Sequence, residues 1–253
     1  METQNTEVKP TKINSTGEAK QRIKHMLIGH AIFWALWGVL VLILGDEKIV
    51  LAINPGFAID ESHWSYIAVK LYSDTFMGLQ LGTLIMVILF MSIPKWKAYR
   101  RPMLEAFFSV LLAGVFIESI KGWAGRLRPF QEGSPIADQI NFFGETTDSG
   151  SMPSGHVGYT AAAALPHALR LKSKVVCWII SIYSAGMMYI RMFLGVHYAS
   201  DVLVGNIIGL GCAIGTFYLF ELIYRKGAIS RKQEWLVFAI GIIVFIIQIM
   251  LRI

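Results

Sequence analysis

Residues 200–224 read SDVLVGNIIGLGCAIGTFYLFELIY, with no charged residue between Asp201 and Glu221. About 20 apolar residues in a helix cross the roughly 30 Å hydrocarbon core of a bilayer, so this stretch predicts a membrane span. Further runs of the same kind lie at about 26–45, 75–93, 103–120, 154–169, 174–194 and 235–251. The run at 154–169 is the weakest, being short and interrupted by Pro166. The 253 residues are 55% hydrophobic and only 16% charged, with a mean hydropathy of +0.54. That is too apolar for an ordinary soluble domain. The expected fold is all-α: an integral-membrane helical bundle of six core transmembrane helices plus a seventh at the C-terminus. It occupies 26–253 as one domain, behind a disordered cytoplasmic tail at 1–25. That polar tail is long for the basic region of a secretory signal, and the run behind it is long enough to anchor.

The net charge of +6 would raise the question of nucleic acid in a soluble protein. Here the positive residues sit between spans, so topology accounts for them and no nucleic-acid partner is expected. Basic residues collect in the tail, at 94–102, at 170–174 and at 225–234, which are alternate loops. Lys and Arg near span ends mark the cytoplasmic side. One topology satisfies all four: N-terminus inside, a plasma (inner) membrane location, and the seventh span ending outside. The 46–74 loop, with Asp46, Glu47, Asp60, Glu61 and Asp74, then lies outside. Within it, 57–73 reads either as a helix lying at the interface or as part of the aromatic belt. Cys177 and Cys212 fall inside spans and read as small apolar fillers. Gly205, Gly209, Gly211 and Gly215 have small-xxx-small spacing that suits helix packing within the bundle; the oligomeric state stays open.

Three polar clusters interrupt this pattern: KGWAGRLRP at 121–129, PSGH at 153–156 and RMFLGVHYASD at 191–201. Each lies at the end of an apolar run, and the topology puts all three on the same outer (periplasmic) face. Ionisable groups at membrane depth are costly unless they line a site. Lys121 and Arg128 offer a point charge and a planar fork, both suited to phosphate oxygens; Arg126 reads as a headgroup or surface contact. Ser154 at a helix start ordinarily caps it. Gly155 permits close approach of the backbone to a ligand, and a helix N-terminus binds anions. His156 is suited to donating a proton to a leaving oxygen. His197 and Asp201, spaced i, i+4, share one helix face, so the carboxylate can orient the imidazole.

Taken together, K-x6-R-P, P-S-G-H and R-x5-H-x3-D resemble the three-part signature of the type 2 phosphatidic acid phosphatase superfamily, a group of membrane lipid phosphatases and soluble vanadium haloperoxidases. The resemblance covers Lys121 to Asp201. One departure is Ile190, where the family often has a serine before the third-motif arginine. The resemblance implies that His197 is the nucleophile forming a phosphohistidine, that Asp201 orients it, and that His156 protonates the leaving group and later activates water. Lys121, Arg128, Ser154, the Gly155 amide and Arg191 would bind the phosphoryl oxygens. The sequence has no carboxylate cluster suited to Mg²⁺, so no metal or other cofactor is expected.

The implied function is hydrolysis of a phosphate monoester or pyrophosphate on an envelope lipid, such as undecaprenyl pyrophosphate, phosphatidylglycerol phosphate, phosphatidic acid or lipid A. A lipid phosphotransferase would use the same site. A transporter would distribute ionisable groups through the membrane depth and show repeat symmetry, neither of which is visible; a catalytically dead lipid-binding relative would have lost a nucleophile or acid. The 130–152 segment, with Phe142, Phe143, Glu145 and Asp148, is expected to cover the site. Glu118, one turn before Lys121, reads as its ion-pair partner. Glu105 and Glu221 are expected to be partly hydrated at the cytoplasmic end, His30 to bond between helices, and Pro166 beside His167 to kink its helix.

Overall fold

In the computed structural model, described over residues 14–54, 64–142, 149–225, 227 and 229–251, the protein is all-helical among the described residues. The order is α1 (Thr16–Leu44), α2 (Asp46–Ile53), α3 (Trp64–Ser92), a 3-10 turn (Pro94–Tyr99), α4 (Arg100–Ala124), α5 (Gly155–Arg170), α6 (Lys174–Phe193), α7 (Ala199–Ile223) and α8 (Arg231–Leu251). By length and apolarity, five helical stretches among the described residues qualify as spans, in α1, α4, α6, α7 and α8. Their lipid-facing character is plain in α1, where Leu36, Leu42 and Ile43 are exposed. Large apolar side chains left bare along whole helices need hydrocarbon rather than water around them, and the chain is an integral membrane protein.

α5 explains why run 154–169 looked weak. It is a 16-residue helix, about 24 Å long at 1.5 Å per residue, and it is buried on most of its circumference by α4 and α7. Its alanines leave room for this. So do the glycines of α7: a Cβ on Gly209 would lie 2.2 Å from the Gly158 carbonyl oxygen, and one on Gly205 would lie 2.4 Å from that of Ser154. Gly211 and Gly215 meet nothing within 4 Å, so the small-residue spacing is split between an internal face and an outward one. α5 continues through Pro166 as one helix.

Other expectations are also revised. α1 begins at Thr16, well before the apolar run, because Ser15 and Glu18 form a capping box that satisfies the first free amides; residues 1–13 lie outside the described part. The stretch from Trp64 to residue 73 is continuous with α3 rather than a separate interfacial helix, and 55–63 lie outside the described residues. His30 bonds within its own helix, to the Met26 carbonyl at 2.8 Å.

The end of the bundle away from the motifs is closed by a charged cluster. Arg170 grips Glu105 through two bonds, at 2.6 and 2.9 Å, and reaches Glu221 at 2.7 Å. Arg101 bridges the same two carboxylates, and Thr16 on α1 donates to Glu221. Glu105 is therefore fully buried and paired, not hydrated as its position in sequence suggested. A buried carboxylate persists as an ion only with such partners.

Candidate active site

The C-terminus of α4, the N-termini of α5 and α7 and the C-terminus of α6 meet at one end of the bundle, and the three motif clusters meet with them. α4 ends in Gly125, whose left-handed φ of 54° turns the chain so that Arg126 and Arg128 return toward the site. Arg128 is buried. Its guanidinium donates to the Ser149 carbonyl and hydroxyl, each at 3.0 Å, and to the Val196 carbonyl at 3.2 Å. It also lies 3.4 Å from His197 Nε2. Since arginine has only donors, Nε2 accepts, and the ring proton is assigned to Nδ1. That leaves Nε2 on the side of the cations, its lone pair directed at the long Arg128 contact.

The N-terminus of α5 supplies the opposite wall. Ser154 makes no side-chain capping bond; its buried hydroxyl has no partner, while its amide donates to the Asp201 carbonyl at 3.0 Å. A buried hydroxyl without a partner is uncommon, and a bound oxyanion would satisfy it. The Lys121 ammonium comes within 3.4 Å of where a Cβ on Gly155 would sit, so a side chain there would crowd the cation. Lys121 is paired with Glu118 at 3.2 Å, as expected, and Tyr159 also donates to Glu118. His156, in the first turn of α5, is within electrostatic reach of Arg191, His197, Lys121 and Arg128. Arg191 donates to the Ser73 hydroxyl on α3 at 2.8 Å. Ser73 lies 118 positions before Arg191 in the sequence.

His197 is buried and sits in the short loop between α6 and α7. Burial, and then Arg128, Arg191 and Lys121, hold its pKa well below the usual histidine range, because each disfavours a second positive charge there. The shift favours the neutral imidazole.

Asp201 differs from the simplest expectation. Its Oδ2 is 3.6 Å from His197 Nδ1, close enough for electrostatic support but too long for a hydrogen bond. Its oxygens are taken instead by the Ser151 hydroxyl, the Tyr198 amide at 2.7 Å and Arg126 Nη1 at 2.8 Å. Arg126 is accordingly no headgroup contact: its other nitrogen holds Asp46 at 2.7 Å. Sequence reasoning missed Asp46, Arg126, Ser151 and Ser73 as neighbours of the site. Only Arg126 and Ser151 lie near a motif, and nothing in the sequence marks the other two. In the 130–152 segment, Phe142 stacks on Phe130 with ring centroids 3.9 Å apart, while Phe143, Glu145 and Asp148 lie outside the described residues. Among the described residues, no three His, Cys, Asp or Glu side chains gather as a metal-ligand set.

With motif order, spacing and convergence established, residues 102–225 also match the profile of the PAP2 superfamily. The chain belongs to the PAP2 superfamily. Two solved structures share its fold. The crystal structure of Aquifex aeolicus LpxE is 20% identical, with a TM-score of 0.55 over 68% of this chain and 94% of that one. The transmembrane PAP2-type phosphatidylglycerolphosphate phosphatase from Bacillus subtilis is 20% identical, with a TM-score of 0.57 over 78% of this chain and 96% of that one. No curated protein matches the chain. PAP2 membership covers α4 to α7, the helices that carry all three motifs, whereas α1, α2, α3 and α8 lie outside the matched region.

Proposed function

We propose that this PAP2 protein is a membrane lipid phosphatase working through a phosphohistidine, with its site on the extracytoplasmic face. One observation carries the reading: His197 Nε2 lies 3.4 Å from the Arg128 guanidinium, within electrostatic reach of Arg191 and Lys121, and the buried Ser154 hydroxyl at the start of α5 has no partner. Such a set of groups suits an anion with several oxygens. Lys121, Arg128, Arg191, Ser154 and the Gly155 amide bind the phosphoryl group and stabilise the charge that develops on it. His197 Nε2 attacks phosphorus; the bond from phosphorus to the lipid oxygen breaks as His156 passes it a proton. In the second half, His156 takes a proton from water, the water oxygen bonds to phosphorus, and the P–N bond breaks to release phosphate. Asp201 supports the cationic imidazole throughout. When the phosphate binds, its negative charge offsets the surrounding cations.

The substrate is an envelope lipid carrying a phosphate monoester or pyrophosphate: undecaprenyl pyrophosphate, phosphatidylglycerol phosphate, phosphatidic acid or lipid A. The fold shared with LpxE and with a phosphatidylglycerolphosphate phosphatase supports this class without choosing within it. Transfer of the phosphoryl group to another lipid is the alternative outcome of the same chemistry. The test is phosphate release by purified protein from a panel of these four lipids in EDTA, compared with His197→Ala. Release from at least one lipid, lost in the variant, is expected. Full activity of His197→Ala, or a strict need for Mg²⁺, would refute the mechanism.

A further inference from the structure

The carboxylate behind the nucleophile is not alone. Asp46, at the start of α2, accepts from Arg126 at 2.7 Å and from the Ser200 amide at 2.8 Å, and the Ser200 hydroxyl bridges to it as well. Arg126 reaches Ser200 Oγ at 2.6 Å and Asp201 at 2.8 Å, and its guanidinium lies 4.0 Å over the Tyr198 ring. The Tyr198 hydroxyl is tied in turn to Ser134 at 2.7 Å. Asp201 is fully buried, and Arg126 and Asp46 are mostly so.

Charge balance gives this chain of contacts a consequence. Asp201 paired with Arg126 alone would be neutral, leaving Glu118 on α4, paired with Lys121 at 3.2 Å, as the carboxylate set against Arg128 from the 125–129 loop, Lys121 from α4, Arg191 from α6 and His156 from α5. Asp46 neutralises Arg126 in turn, so the triplet Asp46, Arg126 and Asp201 carries one net negative charge. That charge stands where the imidazole becomes cationic on phosphorylation. A planar fork is the side chain that can hold two carboxylates at once.

We propose that Asp46 and Arg126 are positioning residues that fix Asp201 and restore its negative charge toward His197, so that α2, outside the PAP2-matched region, is part of the catalytic apparatus. α2 is anchored for this role at both ends. At its C-terminal cap, Asn54 donates to the Asn141 and Phe193 carbonyls at 2.7 and 2.8 Å. In between, Ile49 and Val50 pack with Met187, Met188 and Val202.

The inference rests on His197 being the nucleophile. It is tested by steady-state kinetics on detergent-solubilised full-length protein, with phosphatidic acid and phosphatidylglycerol phosphate micelles as probes. For Asp46→Asn we expect kcat to fall about tenfold, far less than loss of an orienting carboxylate itself costs, with KM within about twofold. The acidic limb of kcat/KM should move to lower pH, since less negative charge backs His197. Arg126→Lys keeps a charge but cannot hold both carboxylates, and is expected to lower kcat with KM retained. The double variant should be no worse than the poorer single one, as for residues acting as one unit. Melting temperatures identify variants that fold. Wild-type kcat and pH profile in either folded variant, or fully additive losses in the double, would overturn the proposal. If Asp46→Asn does not fold, Arg126→Lys decides it alone. An active His197→Ala would instead bring down the parent mechanism, and this inference with it.

Discussion

At the scale of the residue, Ser154 and His197 make separable predictions. Ser154 sits at a helix start, where a serine ordinarily spends its hydroxyl on a backbone amide; here the hydroxyl is buried and unspent. Ser154→Ala should lower kcat by roughly 10²–10³, the usual cost of one oxyanion donor. It should leave the melting temperature unchanged or raised, because an unsatisfied buried group is removed. Kinetics and a thermal melt of the same preparation check both halves. For His197 the sign runs with pH. Its folded pKa lies below the ordinary value, so the unfolded chain binds a proton that the folded one refuses. Its contribution is intact above about pH 6.5 and is lost as pH falls from there toward the lowered folded value. Wild type should therefore lose more melting temperature between pH 7.5 and 5 than His197→Gln; equal losses would mean that the imidazole is not held neutral.

At the scale of the element, the contact of α5 with α7 positions the PSGH turn. The two helices touch backbone to backbone at Gly158, Gly205 and Gly209. Gly209→Ala puts a methyl against a carbonyl and should cost about 1–3 kcal/mol, as overpacking does; because Ser154 lies on the same face, activity should fall with it. Gly215→Ala has open space around it and should be neutral or gain up to about 1 kcal/mol from helix propensity. Thermal denaturation in detergent compares the pair, and similar losses at both positions would contradict this packing. The spacing of the four glycines was legible in the sequence. Which pair faces α5 was not, since that depends on the rotation of α7 about its axis.

At the scale of the whole molecule, the two ends of the bundle carry opposite devices. One end gathers the motif cations Lys121, Arg128 and Arg191 around His197; the other gathers the Arg170, Arg101, Glu105 and Glu221 cluster. Removing one member of the buried cluster by Arg170→Ala leaves Glu105 without its main partner and should cost about 3–5 kcal/mol. The folded fraction should keep its KM, because the cluster is remote from the motifs. Orientation is checked by labelling in a background without Cys177 and Cys212. Exposed Asp138→Cys, near the motif end, should react in intact cells, while Lys97→Cys, at the far end, should need permeabilisation. The reverse pattern would overturn an outward-facing site.

Reading along the chain was enough for the helical membrane class, the family resemblance and the motif residues. Those follow from local rules: the length of apolar runs, the placement of basic loops, and the chemistry of residue types at fixed spacing. It ranked α5 the weakest of the runs, because a short run looks marginal when nothing along the chain says that protein will surround it. It also misassigned Arg126 and was silent on Asp46 and Ser73. Only the tertiary structure brought these residues, from α2, α3 and the loop after α4, behind Asp201 and Arg191. The reason is physical: a buried charge is tolerable only when compensated, and the compensating partner is chosen by proximity in space, on which spacing along the chain places no constraint.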